Sequence, residues 1–176
     1  MRLEGHFMKK VYSLIVILVL CLSLPGCIPL WALNEKTYPQ ISFSVTDLSG
    51  NIITESVFAE HKVTMINFWE PWCSPCVHEM PDLELLYQAY KDDGFYIIGI
   101  YSSTDMLSSV KSIVQSAGTT YPIADYCDTF DQFQTGYVPT TIFVDQKGQV
   151  MKVKGGTSLT GARSFTDWGS IVSDLL

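Results

Sequence analysis

A Cys-x-x-Cys pair, Cys73-Ser74-Pro75-Cys76, stands between an apolar run from Val63 to Trp69 and a segment whose apolar residues recur at spacings of three and four. No other feature restricts the fold as much. The run has the composition of a strand buried on both faces, as in a parallel sheet. From Cys73 to about Asp92, the residues Val77, Met80, Leu83, Leu86, Tyr87 and Tyr90 share one side of a helix, which Pro81 should interrupt and kink. The pair therefore falls where a strand ends and a helix begins. Two thiols so placed close into a disulfide with little backbone movement, and the helix N-terminus favours a thiolate at the first, exposed one.

The remaining chain supplies the partners of such a unit. Ile41 to Val45 alternates apolar and polar residues, Asp47 to Asn51 offers turn residues, and Ile52-Ile53 resumes, which predicts an antiparallel hairpin edging the main sheet. Phe95 to Tyr101 reads as a second buried strand, Asp105 to Ala117 as a helix closed by Gly118, Tyr121 to Tyr126 as a short strand, and Asp128 to Gln134 as a short helix. Thr140 to Val144, the turn Asp145-Gln-Lys-Gly148 and Gln149 to Lys154 predict a hairpin whose last strand is an edge. A closing helix from Ala162 to Leu176 puts Phe165, Trp168, Ile171, Val172 and Leu175 on one face. Strand and helix alternating with short connections imply a mainly parallel sheet covered on both sides.

The N-terminus sets the compartment. Lys9-Lys10 precede an apolar stretch from Val11 to Leu24 with the layout of a secretory signal. It ends in Leu24-Pro-Gly-Cys27, which resembles a bacterial lipobox with Cys27 as the lipidated residue. An ordinary cleaved signal and an uncleaved anchor running on through Ile28 to Trp31 are the alternatives. Each puts the domain outside the cytoplasm. We divide the chain into a signal peptide or anchor at 1–27, a linker at 28–40 and one domain at 41–176, a size that suits a single core in a chain of 176 residues. Beyond Cys27, eight basic residues face 17 acidic ones, which removes the electrostatic basis for nucleic-acid binding.

Asn67-Phe-Trp69, Trp72-Cys-Ser-Pro-Cys76, Glu79-Met-Pro81 and Val138-Pro-Thr-Thr-Ile-Phe-Val-Asp145 together resemble the TlpA/ResA-like thiol-disulfide oxidoreductases of the thioredoxin superfamily, over roughly residues 41–176. The resemblance implies an α/β, thioredoxin-like fold: a central mixed sheet flanked by helices, with an N-terminal β-hairpin. It further implies an enzyme outside the cytoplasm that reduces protein disulfides and needs no cofactor beyond its own Cys73–Cys76 disulfide. The partners implied are envelope proteins such as apocytochrome c or a methionine sulfoxide reductase, and a membrane electron donor of the CcdA/DsbD type. The chain departs from the pattern at Glu70, where Ala is usual, and it has Asn67 where thioredoxins proper carry a buried aspartate.

Each candidate residue has a chemical reason. Cys73, first in the pair, is the nucleophile, because thiols at helix N-termini fall from near 8.5 to about 3.5–7.5; Cys76, buried beneath it, resolves the mixed disulfide. Pro75 rigidifies the first turn, and neither Ser74 nor Pro75 is a histidine able to stabilise the thiolate, which points to a reductant. Glu79 follows Cys76 by one turn and could serve as its general base, the plain alternative being an exposed surface glutamate. By the resemblance, Val138–Pro139 is a cis bond that frees the Val138 backbone to pair with an extended substrate. Trp72 and Tyr137, with Trp69 unless it is core, would form an apolar rim. Glu70 reads as a solvated loop residue before a carboxylate acting on the pair, and Cys127 as a small buried residue before a third redox thiol. A zinc site would need ligands hard to find among Cys127, His61 and His78. A copper chaperone would need thiols spaced by three residues with a placed histidine, and a thiol peroxidase an upstream Thr; the pair lacks both settings.

Overall fold

The computed structural model describes residues 41–176. The signal or anchor at 1–27, the lipidation candidate Cys27 and the linker 28–40 lie outside the described residues. Along the described chain run β1 (Ser44–Thr46), β2 (Ile52–Thr54), α1 (Val57–Glu60), β3 (Val63–Phe68), α2 (Ser74–Tyr90), β4 (Phe95–Tyr101), α3 (Leu107–Ala117), β5 (Ile123–Asp125), β6 (Thr140–Asp145), β7 (Leu159–Thr160) and α4 (Phe165–Leu175), with a 3-10 segment at Asp128–Phe133 between β5 and β6. Among the described residues no helix is long and apolar enough to cross a membrane.

The main sheet has the order β5-β4-β3-β6-β7, with β3 parallel to β4, and β4 to β5, while β6 runs antiparallel to β3. Alternation along β3 divides the core. Val63 and Met65 point to a face covered by α2, α3 and α4, where Met80, Leu83, Leu86, Val110, Trp168 and Val172 are buried. Ile66 and Phe68 point to the other, against Phe43, Phe58, Phe130 and Phe133. Each such buried side chain contributes about 1.5–3 kcal/mol, and every residue of β3 is buried.

Four expectations are corrected. The N-terminal hairpin does not extend the main sheet; β1 and β2 form their own two-stranded sheet, tied to β5 by the Leu48 N–H donating to the Ile123 carbonyl at 2.8 Å and a bridge from Asp47 to Ala124. Residues 149–154 are not a continuous edge strand. The hairpin starts as expected, Val144 pairing with Val150, yet Thr141 pairs with Leu159, where an uninterrupted hairpin would pair it with Val153. The intervening chain turns out at Gly155 and Gly156, whose φ angles of +107° and +128° suit glycine, and returns to bury Leu159. Finally, α2 passes through Pro81 as one element, and Phe165, expected on the buried face of α4, is 37% exposed.

Candidate functional site

Cys73 is the N-cap of α2, in extended backbone, and its Sγ accepts the Cys76 N–H at 3.3 Å. Pro75 takes one of the first two helical positions, where its missing N–H costs nothing. Cys73 and Cys76 are joined in a disulfide. In this oxidised form Cys73 is only 6% exposed and Cys76 1%, so the expectation of an exposed first thiol is corrected. What covers Cys73 is the loop before β6: the Val138 carbonyl lies 3.5 Å from its Sγ, and Val138–Pro139 is cis.

On the face of β3 that carries the disulfide, Asn67 is buried and its Nδ2 donates to Thr141 Oγ1 at 3.0 Å, across the register pair that joins β3 to β6. Glu79 is 3% exposed, which excludes the surface-glutamate reading. Its Oε1 accepts from Trp168 Nε1 at 2.8 Å and from the Arg163 N–H at 2.7 Å, while Oε2 is buried with no hydrogen-bond partner among the described residues. Burial, the largest influence, raises the Glu79 pKa above its ordinary 4.5; the bonds from Arg163 and Trp168, the Arg163 charge and the Asn67 amide act the other way without cancelling it. Arg163 lies over the Trp168 ring at 4.9 Å and donates from Nη1 to the Gly161 carbonyl at 2.9 Å, which fixes the lid over the carboxylate.

Glu70 is a correction of a different kind. It is 6% exposed rather than solvated, and its carboxylate accepts from the Ser102 N–H at 2.8 Å, from the Ser102 hydroxyl and from the Ser103 N–H at 3.2 Å. The signal for this lay in the parallel pairing of two buried strands, which sets the residues after β3 level with those after β4; the Trp69 N–H already donates to the Ile100 carbonyl at 2.9 Å. Trp69 is core, its Nε1 without a partner among the described residues, and so is not part of the rim. Trp72 and Tyr137 are 63% and 71% exposed and flank Val138, and Trp72 Nε1 donates to Ser103 Oγ at 3.3 Å. Cys127 is a free thiol, half-buried beside the second core cluster rather than enclosed in it. His78 is exposed, 3.3 Å from Ser74 Oγ, and His61 stacks on Tyr96. Among the described residues no three His, Cys, Asp or Glu side chains gather so as to hold a metal ion.

A mixed sheet sandwiched by helices, with a disulfide at the N-terminus of the helix after the central strand and a cis-proline against it, defines a thioredoxin-fold redox protein. The comparisons make this specific. The model of the AhpC/TSA family matches residues 37–153. The thiol-disulfide oxidoreductase ResA of Geobacillus kaustophilus is 32% identical over 163 residues, covering 85% of this chain and 91% of that protein, and ResA of Bacillus cereus is 31% identical over 155 residues, covering 82% and 88%. Among solved structures, the thiol:disulfide interchange protein of Chlorobium tepidum superposes with a TM-score of 0.68 at 26% identity, covering 81% of this chain and 98% of that one. StoA of Bacillus subtilis, at 18% identity and a TM-score of 0.61 over 74% and 96% of the two chains, shares the fold. The chain belongs to the AhpC/TSA family and, with these relatives, to the ResA-like thiol-disulfide oxidoreductases of the thioredoxin superfamily. It is a thiol-disulfide oxidoreductase.

Proposed function

We propose that the enzyme works outside the cytoplasm as a reductant of protein disulfides, with Cys73 attacking and Cys76 resolving. The observation that carries the assignment of roles is the asymmetry of the pair: Cys73 caps the helix and contacts the Val138 carbonyl, whereas Cys76 lies one turn deeper and is 1% exposed. In the reduced enzyme the Cys76 N–H and the helix N-terminus stabilise a Cys73 thiolate. That thiolate attacks one sulfur of the substrate disulfide, forming the Cys73–substrate bond and releasing the other substrate sulfur as a thiolate. Cys76, losing its proton, attacks Cys73 Sγ, re-forms the enzyme disulfide and expels the second substrate thiolate. Two electrons leave the enzyme, and a dithiol donor in the membrane, of the CcdA/DsbD type, returns them.

In this reading Glu79 takes the Cys76 proton, since a carboxyl group with a raised pKa holds and gives up protons nearer neutrality. Val138 and Pro139 form the platform on which an extended substrate segment lies, Trp72 its rim, and Pro75 keeps the first turn rigid. The N-terminal segment, lipidated at Cys27 or retained as an anchor, holds the domain at the membrane facing substrates such as apocytochrome c or a methionine sulfoxide reductase, whereas plain cleavage would release it as a secreted enzyme. The disulfide itself is the only redox group required. With Ser74 and Pro75 between the cysteines and no histidine there, the couple falls toward the thioredoxin end of the scale, about −270 mV, and away from the oxidant end at about −120 mV. Equilibration with glutathione buffers tests the direction, and a potential above about −180 mV would overturn the assignment as a reductant.

A further inference from the structure

Beside the disulfide a groove of about 420 Å³ opens between Trp72, Tyr137 and Val138, with Glu70, Ser102 and Gln134 completing its wall. A smaller cavity of about 110 Å³, lined by Phe68, Trp69, Ile100 and Tyr126, adjoins it and shares Glu70, Ser102, Gln134 and Val138. The groove is thus walled by two exposed aromatic rings and has a carboxylate set into its side. Among the described residues no lysine or arginine lines either space, and the hydrogen bonds that the Glu70 carboxylate accepts come from neutral donors, Ser102 and Ser103. Three bonds leave one of the roughly four acceptor directions of a carboxylate unused. A negative charge held away from water without a cation is compensated best by one arriving from outside.

We propose that Glu70 makes this groove select substrate segments that carry a lysine or arginine two residues from the attacked cysteine. The inference rests on Cys73 as the attacking sulfur and on Val138 as the substrate platform. In an extended segment, side chains two apart point the same way, about 6–7 Å from one another. With the substrate cysteine on Cys73 Sγ and its backbone along Val138, the side chain two positions away enters the groove. A long basic side chain matches what it finds there: an apolar stem against Trp72 and Tyr137, a cation over their rings and a carboxylate at the tip. An acidic side chain would meet Glu70 with no donor to spare. Because the backbone loop Ser102-Ser103 holds the carboxylate, its position is fixed before substrate arrives.

The test uses symmetric disulfide dimers of one short neutral peptide with Lys, Gln or Glu two residues from its single cysteine, on either side. Rate constants for their reduction by the reduced enzyme are normalised to reduction of the same dimers by dithiothreitol. The wild type should prefer the Lys over the Glu peptide about tenfold, and Asp92→Asn, a surface charge removed at the far end of β4, should keep that ratio. Glu70→Gln should bring the ratio down to about twofold or less, and so should Gln134→Lys, an exposed position whose substitution leaves the Ser102-Ser103 clamp intact and keeps the test decisive if Glu70→Gln folds poorly. Equal rates for the peptides with the wild type, or a ratio that survives Gln134→Lys, would overturn the proposal. Failure of the wild type to reduce any of the dimers would overturn the reductase reading itself, and the groove's role with it.

Discussion

Trp168 Nε1 donates to Glu79 Oε1 at 2.8 Å, so the closing helix α4 holds a carboxylate one turn beyond Cys76 through a bond that spans 89 positions of sequence. The contact turns a residue that spacing alone leaves on a helix surface into a buried acid under a lid of Trp168 and Arg163. It also makes Glu79 a source of pH dependence with a definite sign.

Burial raises the folded-state pKa of Glu79 above 4.5, so the folded protein holds this proton more tightly than the unfolded chain does. The stability it contributes is fully present below about pH 4.5 and is lost as pH rises through the folded-state pKa. Glu79→Gln removes that loss. In urea unfolding from pH 4 to 8, the stability of the variant minus that of the wild type should grow with pH, and the pH profile of thiol alkylation in the reduced enzyme should change. A difference independent of pH would show that Glu79 does not titrate as described.

Gly99 lies in β4 under Trp69. A Cβ there would sit 2.5 Å from Ile123 Cδ1, 3.3 Å from Trp69 Nε1 and 3.5 Å from Tyr121 Cε2. Gly99→Ala should destabilise the protein by about 1–3 kcal/mol through overpacking, measured as a shift in the urea midpoint.

Glu70→Ala removes the acceptor of two backbone N–H groups and a hydroxyl, which leaves the Ser102-Ser103 loop without its clamp. A loss of about 1–3 kcal/mol is expected, against about 0.5 kcal/mol or less had Glu70 been the solvated loop residue its sequence context suggests. Chemical unfolding separates the two.

Trp72 is 63% exposed and holds Ser103 Oγ by a bond of 3.3 Å, so Trp72→Ala should leave the unfolding midpoint nearly unchanged, within about 0.5 kcal/mol. If it rims the substrate groove, the same substitution should slow reduction of a protein disulfide about tenfold, equivalent to about 1.4 kcal/mol of lost contact. Stopped-flow reduction of a disulfide-bonded protein substrate provides the check.

The elements written in local pattern were legible in the sequence. The near-continuous apolar runs of β3 and β4, the helical spacing of α2 and the thiols where β3 gives way to α2 required no partner to be recognised. What stayed hidden depends on residues far apart. Glu79 is buried because Trp168 and Arg163 close over it, and Glu70 because parallel pairing sets it beside Ser102; neither burial leaves a trace in the carboxylate's own neighbourhood. The strand expected at Gln149 to Lys154 alternates as an edge strand should, yet Leu159, buried at 3% exposure, takes the place opposite Thr141, a tertiary choice that local alternation does not record. Cys73 read as exposed since a nucleophile at a helix end suggests an open site, whereas the Val138 loop covers it in the disulfide form.

A Cys76→Ala trap tests most directly the proposal that Cys73 is the sulfur that bonds to a protein substrate. With the resolving thiol gone, the mixed disulfide formed by Cys73 cannot be cleared and should accumulate. Expressed in its native cells, alkylated and purified, the variant should carry a protein partner linked through Cys73 that reductant releases and that the Cys73→Ala, Cys76→Ala double variant lacks. Recovery of the Cys76→Ala protein with Cys73 alkylated and no linked partner would contradict the assignment of protein disulfides as its substrates.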